Sequence, residues 1–236
     1  MKPEALIFDV FGTLVDWRGS VARQLAPVLA AKGIGADPDE FATLWRGEYD
    51  PSMAPIRNGQ RGYVALDELH YENLVAVLSR LGYAGAFTEE EARALATAWE
   101  RLDPWPEVPG AMARLRDHAL LAPCSNGSVA LMVRLARHAG FHWDAILGAG
   151  IARNYKPHPS VYLSACAALG LDPGAVMMVA AHNDDLAAAR DAGLMTGFFP
   201  RPAEYGPGQR RDLDADADWT LVSRDLADFA DKFETL

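Results

Sequence analysis

Leu6-Ile7-Phe8-Asp9-Val10-Phe11-Gly12-Thr13-Leu14-Val15-Asp16 is the stretch whose reading decides the fold. Ala5 to Phe8 is an apolar run suited to a strand buried on both faces, and an acid follows at its carboxyl end. Asp9 is therefore expected at the mouth of a sheet. Gly12 and Thr13 predict a tight turn that keeps small groups and backbone N–H donors beside the carboxylate. A carboxylate held in this way can be a nucleophile. The same pattern fits an Asp that only caps a turn, so residues further along the chain must decide.

Beyond this stretch the texture is helical. Val21, Leu25, Val28 and Leu29 recur at helical spacing from Arg18 to Gly33. A second helix is predicted over 37–49, with Phe41, Leu44 and Trp45 on one side and Arg46 beside them. The turn-rich segment 50–61 reads as a loop. Leu66, Leu69, Leu74, Val75 and Leu78 place a longer helix over 63–81, and Thr88-Glu89-Glu90-Glu91 opens a fourth. Residues 17–102 are thus expected to hold four helices and no strand.

After Pro104-Trp105-Pro106, strand and helix alternate, the pattern of a parallel sheet flanked by helices. Helices are predicted over 110–118, 128–139, 159–169, 184–192 and 223–233, and strands over 119–124, 144–148, 175–181, 195–199 and 219–222. Pro123, lacking an N–H, predicts an irregular strand just before Ser125. The economical arrangement is an α/β fold: a Rossmann-like parallel core from 1–16 and 103–236, with 17–102 as an inserted all-helical cap domain. Such a cap would sit over the carboxyl ends of the strands, where open α/β sheets bind ligands.

The totals bound the function. A chain of 236 residues, half of them hydrophobic, can bury a sizeable core without staples. A net charge of −10 gives no attraction to nucleic acid or anionic membranes. Cys124 and Cys166 have no metal or redox spacing and read as reduced core thiols. No signal-type or membrane-spanning apolar stretch is present, so a cytoplasmic, unexported protein is expected.

Polar residues follow four of the predicted strands: Asp9, then Ser125-Asn126-Gly127, then Lys156-Pro157, then His182-Asn183-Asp184-Asp185. Singly, each fits a cap, a solvated lysine or an acidic first turn. In this order, each after a strand, they point to one rim.

With these residues in view the chain resembles the haloacid dehalogenase superfamily, and more narrowly its type II L-2-haloacid dehalogenase branch. The resemblance rests on Phe8 to Leu14, Leu44-Trp45-Arg46, Cys124 to Ser128, Tyr155-Lys156-Pro157 with Tyr162, and Asp185 before Ala189-Arg190-Asp191-Ala192-Gly193. Phosphatases of the superfamily carry a second acid two residues after the nucleophile and a further Asp on Mg²⁺. Here those positions resemble Phe11 and Ala181. An alkoxide leaving group needs that proton and a phosphate that metal, whereas a halide needs neither.

The resemblance implies metal-independent, cofactor-free hydrolysis of short L-2-haloalkanoic acids. Asp9 displaces halide with inversion, and water cleaves the ester that forms. Lys156 would favour ionised Asp9, Thr13 would orient it, and Asp185 would activate the water. Ser125 and nearby backbone N–H groups would hold the substrate carboxylate, Arg46 and Asn126 would cradle the halide, Phe11 would line the pocket, and Tyr162 would support Lys156. The family's usual Ser-x-Asn appears here as Ala180-Ala181-His182, and Asp184 replaces a pocket aromatic. Either Asp184 or Asp185 could face the ester; register with the following helix favours Asp185. His182 could be a supporting donor, a contact to the halide or a structural histidine. A homodimer is likewise implied by the resemblance alone. Two alternatives stand beside this reading: opening of another carbon electrophile such as an azetidine carboxylate, and an idle binding protein of the same fold.

Overall fold

The computed structural model describes residues 2–236. Strand β1 (Ala5–Phe8) leads through the Asp9–Leu14 turn to the short β2 (Val15–Asp16). Five helices follow: α1 (Trp17–Ala31), α2 (Pro38–Gly47), α3 (Tyr49–Arg57), α4 (Leu66–Arg80) and α5 (Glu89–Ala96), with a 3₁₀ turn over Thr97–Glu100. The chain returns through β3 (Asp103–Pro104) and then alternates: α6 (Val108–Leu115), β4 (Leu120–Ser125), α7 (Val129–Ala139), β5 (Leu147–Gly148), α8 (Ala149–Ala152) and α9 (Pro159–Leu169). It closes with β6 (Val176–Ala180), α10 (Asn183–Asp191), β7 (Met195–Phe198), β8 (Leu221–Val222) and α11 (Leu226–Glu234).

Six strands form one sheet in the order β5-β4-β1-β6-β7-β8, every neighbouring pair parallel. β1 is central, as its uninterrupted apolar sequence requires. Leu6 and Phe8 enter the core cluster on one face, while Ala5 and Ile7 enter the cluster on the other. All four are fully buried, and each large side chain contributes roughly 1.5–3 kcal/mol by leaving water.

Pro123 sits within β4 without breaking it, contrary to the expected irregularity. The Leu120 N–H bonds Glu4 on the β1 side, and the Leu121 N–H bonds Asp144 Oδ2 on the β5 side. By alternation the missing N–H of Pro123 faces β5, whose pairing with β4 begins only at Cys124 with Leu147.

Segment 50–61 is not the predicted loop: most of it is helix α3. Pro51 lies in the first turn, where no N–H partner is needed, and Pro55 in the interior is tolerated because Met53 and Ile56 are buried. The helix over 63–81 begins at Leu66, with Tyr63 packed at a tilt against Tyr155, ring centroids 5.5 Å apart. The predicted strand 144–148 shrinks to two residues, and the four-residue α8 after it was not foreseen.

The helical segment leaves and rejoins the sheet at one place. β2 and β3 pair antiparallel, Val15 with Pro104 and Asp16 with Asp103. The Asp16 side chain caps α1 by accepting from Gly19 N–H at 2.8 Å. Trp105 binds the turn after Asp9, its N–H to Leu14 O at 3.1 Å and its indole Nε1–H to Gly12 O at 2.8 Å. Among the described residues no helix is long and apolar enough to cross a membrane.

Candidate active site

The carboxyl ends of the strands place the predicted residues on one rim. The Asp9 N–H bonds Val179 O at 3.0 Å, continuing the ladder one residue beyond β1 and fixing its side chain. Thr13 Oγ1–H donates to Asp9 Oδ2 at 2.7 Å and itself accepts from Ala181 N–H at 3.0 Å. Lys156 Nζ donates to Asp9 Oδ1 at 2.9 Å and to Asp185 Oδ2 at 2.5 Å. Tyr162 Oη–H donates to Asp185 Oδ1 at 2.5 Å.

These contacts set the charges. Burial works to raise the Asp9 carboxyl, but Lys156, His182 and Thr13 outweigh it and hold Asp9 well below the usual carboxylate range. Burial likewise opposes the Lys156 charge, yet Asp185 and Asp9 keep its ammonium above the ordinary lysine value. Asp185 is raised, chiefly by burial and further by the nearby Asp9 charge, against the opposing pull of Lys156 and Tyr162. Asp9 is thus held ionised, while Asp185 takes a proton the more readily of the two.

Asp185, not Asp184, is the acid against Lys156. Asp184 is exposed and uses Oδ1 to accept the Asp185 N–H at 2.9 Å. Burial pushes the Cys124 thiol up to about 12, so it is no competing nucleophile, and both cysteines are free and buried.

A cavity of about 710 Å³ opens over Asp9. The sheet side contributes Asn126, Lys156, His182 and Asp185, and the helical side Trp17, Arg46, Tyr49 and Met53. Arg46 lies with its guanidinium 3.7 Å from the Tyr49 ring centroid and 5.6 Å from that of Trp17. Phe11 lines the cavity and meets Tyr49, His70 and Trp99 edge-on. Asn126 spends its Oδ1 on the Lys156 N–H at 2.8 Å, leaving only amide N–H donors for a ligand. Ser125 and Tyr162 stand outside the cavity lining: Ser125 is fully buried and its Oγ accepts from Gly127 N–H at 3.1 Å.

The alteration at His182 comes with a partner that the sequence did not single out. His182 Nδ1 lies 3.3 Å from Asp9 Oδ2, and Nε2 lies 2.8 Å from Glu204 Oε2. His182 thus stands between two carboxylates at the cavity wall. Burial disfavours the imidazolium, but Glu204 and Asp9 prevail and hold His182 well above the ordinary histidine value. Glu204 is itself buried and also accepts the Trp17 indole N–H at 3.1 Å. Glu204 falls in the Pro/Gly-rich loop after β7, where no periodicity marks it. The one usable signal was a histidine in place of an amide beside the nucleophile, since a buried cation there calls for a counter-charge. Tyr49, Arg57, Tyr205 and Arg211 also line the cavity and were not foreseen.

A family model described as a haloacid dehalogenase-like hydrolase matches residues 3–193. The chain belongs to this family. Among solved structures it is similar to the L-2-haloacid dehalogenase PA0810, with 44% identity, 99% of this chain and 100% of that chain covered, and a TM-score of 0.94. It is also similar to the defluorinating L-2-haloacid dehalogenase Rha0230, with 41% identity, coverage of 98% and 95%, and a TM-score of 0.96. A curated relative, the (S)-2-haloacid dehalogenase of Pseudomonas sp. (strain YL), is 28% identical over 98% of this chain and 95% of its own. Within the haloacid dehalogenase-like hydrolases, the site described here combines the ionised Asp9 with the apolar side chains of Phe11 and Ala181 close by.

Proposed function

We propose that this chain is a hydrolase of carbon–halogen bonds that converts short (S)- or L-2-haloalkanoic acids to D-2-hydroxy acids. The observation that carries this reading is the buried Asp9 carboxylate, ionised by Lys156 and Thr13 at the floor of a cavity, with apolar Phe11 where a leaving-group acid would stand. The names of its relatives support the same substrate class.

In this reading Asp9 attacks the halogen-bearing carbon from the face opposite the halogen, and the halide leaves with its electron pair. Arg46 and the Asn126 amide stabilise the charge that develops on the halide, which lowers the barrier only because it grows in the transition state. Ser125 shapes the turn whose backbone N–H groups hold the substrate carboxylate. Water activated by Asp185 then cleaves the ester. Tyr162 and Lys156 keep Asp185 in place. Residues 17–102 act as a cap domain over a core of 1–16 and 103–236, supported by the placing of Arg46 and Tyr49 in the cavity wall. Neither displacement nor ester hydrolysis calls for a metal here, since halide departs without a proton. The same reading carries a cytoplasmic homodimer, which sedimentation of the purified chain tests.

The decisive experiment is halide release from separate L- and D-2-chloropropionate with excess chelator throughout. Release from the L form is the expected result. Release from D alone would keep the chemistry and remove the stereochemical assignment, and release from neither would remove the reading. An idle binding protein would not require Asp9, Lys156 and Asp185 to be held in one buried network, and it predicts no added mass on the Asp9 peptide.

A further inference from the structure

Three features of the site remain unexplained by that mechanism: a buried Glu204, a histidine set between two carboxylates, and two unequal oxygens on the nucleophile. Asp9 Oδ2 accepts from Thr13 Oγ1–H at 2.7 Å and has His182 Nδ1 beside it in an ion-pair contact at 3.3 Å, so two donor groups flank it. Asp9 Oδ1 has Lys156 Nζ alone, at 2.9 Å, and retains a lone pair. Oδ1 is therefore the attacking atom, and Oδ2 becomes the carbonyl oxygen of the ester.

We infer that His182, held by Glu204, forms with Thr13 an oxyanion hole on Asp9 Oδ2 that serves the hydrolysis of the ester rather than the departure of the halide. This rests on the dehalogenase reading above. The geometry requires two N–H groups on the imidazole, because each nitrogen meets a carboxylate oxygen, Asp9 on one side and Glu204 on the other. Glu204 is a positioning residue: it touches neither substrate nor Asp9. Trp17 Nε1–H fixes its other oxygen, and a Cβ on Gly12 would collide with its carboxylate, so the turn after Asp9 is cut to admit it. The loop that carries Glu204 is in turn tied down by Asn183, whose side chain bonds Asp212, Asp214 O, Asp216 N–H and the Trp219 indole.

The steps balance as follows. The Oδ1 lone pair forms the O–C bond as the C–halogen pair leaves with the halide. Water then bonds Cγ, one of its protons passes to Asp185, and the carbonyl pair moves onto Oδ2, where Thr13 O–H and His182 Nδ1–H receive the negative charge. On collapse the Cγ–Oδ1 pair leaves with the product oxygen. That oxygen takes a proton from Lys156, which recovers one from Asp185. Asp9, regenerated as the acid, ionises and releases the remaining proton.

A donor that acts on Oδ2 in the second step predicts a split between the steps. The test is rapid-quench halide release from L-2-chloropropionate, with mass analysis of the Asp9 peptide, for wild type, His182→Gln and Glu204→Gln. Both variants are expected to release one halide per site in a burst within about tenfold of the wild-type rate. Steady turnover should then fall about 10²-fold for His182→Gln and about tenfold for Glu204→Gln, with the propionate ester accumulating on Asp9. If the burst slows as much as turnover and no ester accumulates, His182 serves displacement and the inference is overturned. Unchanged turnover in both variants overturns it equally. Should wild type release no halide from either enantiomer, it is the dehalogenase reading that fails. Glu204→Gln keeps the shape of the side chain, so it provides the test if His182→Gln does not fold.

Discussion

The Lys156 ammonium lies nearer to Asp185, at 2.5 Å from Oδ2, than to Asp9, at 2.9 Å from Oδ1. One buried cation thus serves two buried carboxylates. Lys156→Met would leave Asp185 without a counter-charge and Asp9 with His182 and Thr13 only, a situation that costs roughly 3–5 kcal/mol. Urea unfolding should show that loss, and Asp185→Asn added to Lys156→Met should return part of it, because the unpaired charge is gone.

Asp9→Asn keeps the shape of the side chain and removes the nucleophile. Turnover of a 2-haloacid should fall by roughly 10⁴-fold or more, with no ester mass on the residue 9 peptide. Activity within about tenfold of wild type would mean that another group attacks the carbon.

Tyr162 touches the reaction only through Asp185. Its hydroxyl favours the ionised form of that acid against burial, so Tyr162→Phe should raise the Asp185 carboxyl further. The acid limb of the pH–kcat profile should move to higher pH, and the plateau should fall about tenfold, as for loss of one hydrogen bond to a charged group. Asp9 does not set this limb, since it is held well below the usual carboxylate range. An unmoved acid limb would detach Tyr162 from water activation.

His182 couples stability to pH on the alkaline side. Its folded value is raised above the unfolded one, so its contribution is complete below the unfolded histidine value of about 6.5 and is lost as pH rises through the folded value. Asp9 and Glu204 face it directly, with Lys156, Asp212 and Tyr205 close by. Melting temperature should therefore decline on the alkaline side in wild type and decline less in His182→Gln. Parallel curves for the two proteins would show that the imidazolium adds nothing to folding.

Gly12 has φ +90° and no room for a Cβ beside Glu204. Gly12→Ala combines backbone strain with that collision and should destabilise by about 1–3 kcal/mol. A melting temperature equal to that of wild type would mean that the turn can shift away from Glu204.

The sheet was legible because β1 and β6 are uninterrupted apolar runs, β1 followed directly by Asp9 and β6, after Ala181, by His182. The charged core of the site was legible for the same reason: Asp9, Asn126, His182 and Asp185 all lie within a few residues of a strand end. Helix α3 was not legible, because Pro51 and Pro55 signal a break locally and only the burial of Met53 and Ile56 overrides them. Pro123 misled in the opposite sense, since which way its missing N–H points depends on where β5 begins. Glu204 was hidden because it acts across a distance in sequence, from an irregular loop onto His182 and Trp17. Ser125 shows the limit of motif reading: the residue is in the expected place, yet its hydroxyl is turned to Gly127 rather than to the cavity.

The β2–β3 ribbon has a consequence for how such molecules diversify. Exit and return share a single doorway, Val15 and Asp16 beside Pro104 and Asp103, so the pairing of the sheet strands does not run through what is threaded between them. Helices could be lengthened, added or exchanged there without displacing a strand. Asp9, Lys156 and Asp185 would travel unchanged through such exchanges, while Arg46, Tyr49 and Met53 would be replaced as a set. Under the proposed function, the carboxylate–lysine network on the sheet and the cavity wall above it would in this way be heritable as separate parts.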